Sequence, residues 1–179
     1  FRPRPLIISA AVAMTIVLIP VLARRMPKLN DRPEYRISSE QVSITTPPNW
    51  IPEDLPKQVF VRAGLEEKQS LLHSTLSERV AAAFYTHPWI QEVRSVRKTY
   101  PARIHVDIVY REPVAMVKGV DGDYPIDRHG ILLPARDFSD ADIENYPVIE
   151  RVASVPMGKL GESWGDPAVS GAAELAAIL

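Results

Sequence analysis

Between residues 103 and 111 apolar and polar side chains alternate: Ile104, Val106, Ile108 and Tyr110 fall on one face, and Arg103, His105, Asp107, Val109 and Arg111 on the other. A period of two sends successive side chains to opposite sides of an extended chain, so this stretch is predicted to be a half-buried strand. Just before it, Tyr100-Pro101-Ala102 interrupts the chain, because proline fixes its own φ and biases Tyr100 away from the helical region. Residues 91–98 form an extended run ahead of that break, and the two runs are expected to make a hairpin. Upstream the period changes. Leu72, Leu76, Val80 and Phe84 recur every fourth residue across 65–85, the spacing of an amphipathic helix, with Glu66, Glu67, Lys68, Glu78 and Arg79 between them. Acidic residues near its start suit the positive end of the helix dipole. Pro88 ends it, and Trp89 and Val93 follow as a short turn or as the entry to a strand.

The flanking segments are shorter. Residues 35–45, with Ile37, Val42 and Ile44, read as a first strand or as two short extended pieces. Pro47, Pro48, Pro52 and Pro56 make 46–57, which carries Trp50, a helix-free loop. Downstream, 114–118 is extended, Asp121-Gly122 is a strong hairpin signal toward Tyr124-Pro125-Ile126, and His129-Gly130 turns the chain into Ile131-Leu132-Leu133. Residues 135–145 are acidic, Tyr146-Pro147-Val148-Ile149 re-enters the sheet, 155–166 is loop, and a helix begins at Pro167. The fold expected is α+β: a small unit of βαββ type followed by a mostly antiparallel β extension.

Residues 5–23 (PLIISAAVAMTIVLIPVLA) are 19 residues without a charge, between Arg2 and Arg4 on one side and Arg24, Arg25 and Lys28 on the other. At about 1.5 Å per residue the run just spans a hydrocarbon core of about 30 Å, so it is read as a transmembrane helix. Val21-Leu22-Ala23 resembles a signal-peptide cleavage site, but the apolar run is longer than a usual signal core and turns basic at once, which favours an anchor. The basic count is higher on the C-terminal side, which by itself keeps that side in the cytoplasm. Residues 24–34 are a charged, proline-bearing juxtamembrane linker. The chain starts at Phe1 and stops at Leu179 within an Ala/Leu-rich run, so both ends are read as fragment ends.

Charge and composition remove several classes of chemistry. With 21 basic against 22 acidic residues the chain lacks the concentrated basic face of a nucleic-acid binder. Without cysteine it has neither thiol nucleophile nor disulfide nor cysteine-ligated zinc. His73, His87, His105 and His129 share no metal-ligand spacing, and solvated or capping histidines fit that scatter better. Asp121, Asp123 and Asp127 suggest a calcium loop, yet its fifth, sixth and twelfth positions would be Pro125, Ile126 and Leu132. No serine sits in a Gly-x-Ser-x-Gly elbow and no phosphate loop is present. Arg94, Arg97, Lys98, Arg103 and Arg111 make the hairpin basic, but Glu92, Asp107 and Glu112 offset them, and a solvated sheet face is the stronger reading. A strand-rich body on a membrane stalk, without an active site, is expected to work by docking partner strands or helices.

The order of these features (anchor, Pro88-Trp89-Ile90 to Val93, Arg97, Pro101, Arg111, Pro113-Val114-Ala115, Ile126-Asp127-Arg128-His129-Gly130, Tyr146-Pro147-Val148-Ile149) resembles the FtsQ/DivIB family of bacterial cell-division proteins. Two positions depart from the family pattern, Tyr110 where glutamate is usual and Glu150 where glycine is usual. The resemblance implies a POTRA-like domain over 35–118 and an incomplete β domain over 119–179, with 171–179 opening the helix that interrupts it. It makes Pro88, Trp89, Val93, Arg97, Pro101, Arg111, Pro113, Asp127, Gly130 and Pro147 mainly structural family positions. It further implies a single-pass protein of the cytoplasmic (inner) membrane at the division septum, with an extracytoplasmic body, the reverse of the charge count. Its role would be that of a non-enzymatic scaffold of the septal wall synthesis complex, without cofactor, metal, nucleic acid or small-molecule substrate. The partners implied are small bitopic coiled-coil division proteins and septal wall synthases. The alternative is a POTRA-bearing component of an outer-membrane protein transport or assembly system.

Overall fold

The computed structural model describes residues 14, 32–66, 69–119 and 121–179. The span predicted at 5–23, Met14 apart, and residues 24–31 of the linker lie outside them. No helix among the described residues is long and apolar enough to cross a membrane. The described chain is mixed α+β, with three small sheets and four α-helices.

The alternating stretch is a strand, β5 (Arg103–Tyr110), with Ile104, Val106 and Ile108 buried on one face. It pairs antiparallel with β4 (Ile90–Thr99) across the Pro101 turn, whose Tyr100–Pro101 peptide is cis. Its other neighbour is β2 (Val42–Ile44), which runs parallel to it in the register Val42↔Ile104, giving the sheet order β2-β5-β4. The span 35–45 is two short pieces: β1 (Arg36–Ile37) leaves for a separate two-stranded sheet with β3 (Gln69–Ser70), and β2 follows a 3-10 turn closed by a Ser38/Gln41 capping box.

Two expectations about the helices fail. The first concerns the proline-rich span 46–57, expected to be helix-free, where α1 (Leu55–Arg62) begins with Pro56 in its first turn. Proline is tolerated there because that turn's N–H groups have no intrahelical acceptor in any case. Leu55, Val59 and Phe60 then lie on one buried face. The second is the long helix expected over 65–85, which forms only as α2 (Leu76–Tyr85), burying Leu76, Val80 and Phe84. Leu72, the first member of that four-residue series, is 48% exposed in the turn after β3. The chain just ahead, residues 69–70, is paired with β1, and 71–75 turn from that strand into the helix. The first unit therefore runs β-β-α-β-α-β-β, with β1 and β3 in their own small sheet, rather than βαββ.

Beyond β5 the chain builds a second sheet in the order β7-β6-β8, from β6 (Pro113–Lys118), β7 (Asp123–Asp127) and β8 (Val148–Ile149). The β6–β7 hairpin closes where Asp121-Gly122 marks it, with the Gly119 N–H donating to the Gly122 carbonyl at 2.9 Å and Gly122 at φ +140°. Pairing makes β6 the centre of this sheet and sends Ala115 and Val117 into the second core. β8 joins parallel to β6, after the short helix α3 (Asp140–Ile143). Last comes α4 (Pro167–Ala176), capped where the Asp166 carboxylate accepts the Ala168 N–H at 2.8 Å.

Two hydrophobic cores result. The first gathers Ile37, Phe60, Phe84, Trp89 and the inward face of β5, and the second gathers Ala115, Ile126, Trp164, Val169 and Ala173. Leu132 and Leu133 divide between them, Leu132 in the second and Leu133 in the first. Adjacent residues of an extended chain point to opposite sides, so this two-residue step fastens one core to the other.

Candidate functional site: the joint between the two cores

The joint starts where α2 stops. Thr86 caps the helix end by donating its hydroxyl to the Ala83 carbonyl at 2.8 Å, and the His87 N–H bonds the Phe84 carbonyl at 2.9 Å. Pro88 forbids another turn, so the chain swings under the helix and seats Trp89 with none of its surface exposed. A buried indole needs an acceptor. Trp89 finds it in the later chain, donating Nε1–H to Asp137 Oδ2 at 2.7 Å while its ring lies 5.8 Å from that of Phe138.

Arg111 continues the connection. Its N–H donates to the Trp89 carbonyl at 2.8 Å, and its own carbonyl accepts the Trp50 indole N–H at 3.3 Å. Its guanidinium pairs with Asp127 Oδ2 at 2.8 Å, both side chains being largely buried. The other oxygen of Asp127 accepts the His129 N–H at 2.8 Å and the Ile131 N–H at 3.0 Å, which organises the His129-Gly130 turn. Gly130 stands at φ +70°, where a Cβ would come within 3.0 Å of Ser170 Oγ and 3.3 Å of Ser170 Cα on α4. Only glycine fits that turn without strain or collision. The Gly130 carbonyl then accepts the Trp164 N–H at 2.9 Å, so a continuous line of contacts runs from the first core's tryptophan to the second's.

Six of the ten family-type positions meet here. Trp89, Arg111, Asp127 and Gly130 form the line itself. Pro113 is buried opposite Asp127 in the β6–β7 pair, and a Cβ on Gly161 would come within 3.2 Å of Pro88 Cα. The other four lie elsewhere: Val93 packs against the first core, Arg97 faces outward opposite His105, Pro101 is exposed in the β4–β5 turn, and exposed Pro147 offers its carbonyl to the Met116 N–H at 2.9 Å. Asp137, Phe138 and Trp50 complete the joint although their sequence pointed to solvated loops. The available signal was the tryptophans themselves, since an apolar ring with an N–H in a polar loop calls for a distant acceptor.

His87 is buried at the same place, with Nδ1 3.4 Å from the Trp89 N–H and Nε2 without a partner among the described residues. Burial first, and then the Arg62 and Arg136 guanidiniums against an opposing Asp137, push its pKa down to about 4 from 6.5. As pH falls below 6.5 the unfolded chain takes up this proton before the folded one. Stability is therefore fully present above pH 6.5 and drains away toward pH 4, by about 3 kcal/mol in total. Urea midpoints measured at pH 7.5 and 5 should show this loss, and His87→Leu should flatten the slope. An unchanged slope in the variant would assign the acid sensitivity to other groups.

Among the described residues no group of three His, Cys, Asp or Glu side chains could hold a metal ion. A second hydrogen-bonded chain braces the far core: Trp164 Nε1–H donates to Ser154 Oγ at 3.0 Å, and Ser154 donates to Asp166, whose carboxyl this bond and the Ala168 N–H hold below its ordinary range. Beside it a half-open cavity of about 460 Å³ is lined by Lys118, Tyr124, Arg151, Ser154, Val155 and Trp164.

No family model matches the chain. A stretch of 107 residues, 56% of the chain, is 29% identical to the cell division protein FtsQ of Corynebacterium glutamicum. The chain spans about half of that relative, 47% of its length. The relationship supported is thus a divergent, FtsQ-like one.

Proposed function

We propose that this chain is a membrane-anchored, non-enzymatic scaffold of the bacterial cell-division complex that builds the septal wall. The observation that carries the reading is the 107-residue likeness to a cell division protein, 29% identical. In this reading residues 5–23 anchor the protein in the cytoplasmic membrane, 35–118 form a POTRA-like domain, and 119–179 begin a β domain, with the body extracytoplasmic. The three-stranded sheet packed on α1 and α2 supports the POTRA assignment. The meeting of Pro88, Trp89, Arg111, Pro113, Asp127 and Gly130 at one joint between the two cores is in keeping with a structural role for them. Partners are other division proteins, namely small bitopic coiled-coil proteins and septal wall synthases. Their strands or helices would bind at exposed sheet edges.

The test is crosslinking in cells of the full-length, anchored protein, with identification of what co-purifies, beside imaging of a fluorescent fusion. Coiled-coil division proteins or wall synthases together with a septal band are expected. An even distribution with normal division after depletion, or recovery of an outer-membrane barrel in their place, would sink the scaffold reading.

A further inference from the structure

The joint encloses a second feature that none of the contacts above requires. Between the 49–50 turn and the segment 137–146 lies a cavity of about 140 Å³ lined by Asn49, Trp50, Asp137, Phe138, Asp142 and Tyr146. The rings are not a closed core. Trp50, Phe138 and Tyr146 all remain partly exposed, and Phe138 and Tyr146 meet edge to face at 6.0 Å. Asp142 carries the charge there: Ser139 donates from its hydroxyl at 2.6 Å and its N–H at 2.9 Å to Asp142 Oδ2, and these bonds hold the Asp142 carboxyl below its ordinary range, while Asp137 is already engaged by Trp89 and lies 3.6 Å from Arg136 Nε. The Tyr146 hydroxyl is pushed up, by burial first and then by the carboxylates of Asp142 and Glu112.

Aromatic faces carry negative potential and attract a cation placed over them, and carboxylates at the mouth add to that attraction. Pockets for drug-sized ligands run from about 300 to 1,000 Å³, so this one is too small for a nucleotide or sugar chain, while a single ammonium or guanidinium head with the methylenes behind it is of the right scale. We propose that the pocket formed by Trp50, Phe138, Tyr146, Asp137 and Asp142 receives a lysine or arginine side chain presented by a partner polypeptide. A basic side chain seated there touches the 49–50 turn and the 137–146 segment at once. The pocket chemistry stands apart from the scaffold reading, which supplies only the expectation that the cation arrives on a protein.

The test uses the full 179-residue chain, labelled with ¹⁵N at tryptophan and kept in an uncharged maltoside detergent so that no headgroup supplies a competing ammonium. Nα-acetyl-lysine methylamide and its uncharged analogue Nα-acetyl-norleucine methylamide are titrated while the indole signals are followed, with Trp50 assigned through Trp50→Phe. A saturable shift of the Trp50 signal with the lysine probe alone is expected, weakened about three- to five-fold by Asp142→Asn. Equal shifts with both probes would make the pocket merely apolar and overturn the proposal, as would the absence of a saturable shift with the lysine probe. Where Asp142→Asn fails to fold, the two-probe comparison on the parent chain decides alone. Failure here leaves the crosslinking result untouched, so the two readings fall separately.

Discussion

Trp89→Ala is expected to lower the stability of the described fold by about 3–5 kcal/mol, the usual cost of emptying a fully buried tryptophan site. Trp89 has no exposed surface, and its ring lies in the first core against α2 and Phe138, so the space it leaves is lined by side chains that can only partly close it. A second loss adds to the cavity, because Asp137 Oδ2 forfeits its indole donor. Asp137 keeps some contact with water, its side chain being 14% exposed, which holds that loss near the lower end of about 1–3 kcal/mol. Domains of this size have only about 5–15 kcal/mol in hand. Trp89→Phe separates the two effects by keeping an aromatic ring beside Phe138 while removing the donor, and it should retain more than half of the lost stability. Urea unfolding followed by circular dichroism measures both variants. Parent-like midpoints for Trp89→Ala would remove the tryptophan from the core. Because Trp89 belongs to one core and its acceptor lies on the segment leading into the other, tryptophan emission, which includes Trp164, should shift its transition in step.

Periodicity made the local elements legible. Alternation at Ile104, Val106 and Ile108 gives β5 directly, since a strand with one buried face has no other way to place them. Asp121-Gly122 and His129-Gly130 mark turns because their backbone geometry selects those residues, as φ +140° at Gly122 and +70° at Gly130 record. Proline misled at Pro56, where the same residue that breaks a helix interior is well suited to a first turn, and Asp54 at the N-cap is the local sign that a helix starts there. Leu72 misled in the opposite sense. It continues the four-residue spacing of Leu76, Val80 and Phe84, but the chain before Leu76 is bound into the β1–β3 pair, a long-range contact that overrides local pattern. Which sheet a strand joins is also non-local: β6 follows β5 after a gap of Arg111 and Glu112, and only its partners β7 and β8 reveal where it belongs. The joint lay furthest from view. Arg111 and Asp127 were recognisable as members of a motif, but their pairing at 2.8 Å depends on how two units meet, and the acceptor for Trp89 sits 48 residues away in a stretch with the composition of a solvated acidic loop.

Asp127→Ala should be the most damaging single change in the second unit, at about 3–5 kcal/mol, the range for removing one partner of a buried ion pair. Asp127 is 3% exposed and serves three donors: the Arg111 guanidinium and the N–H groups of His129 and Ile131. Alanine leaves all three without their acceptor. The guanidinium suffers most, because its side chain is only 16% exposed and its Nε already lacks a partner among the described residues. Asp127→Asn retains an oxygen for the turn's N–H groups and gives up the charge, so its loss should be roughly half as large. The pair itself is tested by adding Arg111→Met. In the Asp127→Ala background this second change removes the stranded charge, and it should return part of the stability even though it is destabilising on its own. Urea unfolding of the parent, both single variants and the double variant yields the coupling energy, expected to exceed about 1 kcal/mol for groups in direct contact. Additivity within about 0.5 kcal/mol would mean that Arg111 and Asp127 act independently, and the two cores would then be joined chiefly by Trp89 with Asp137 and by the Leu132-Leu133 step.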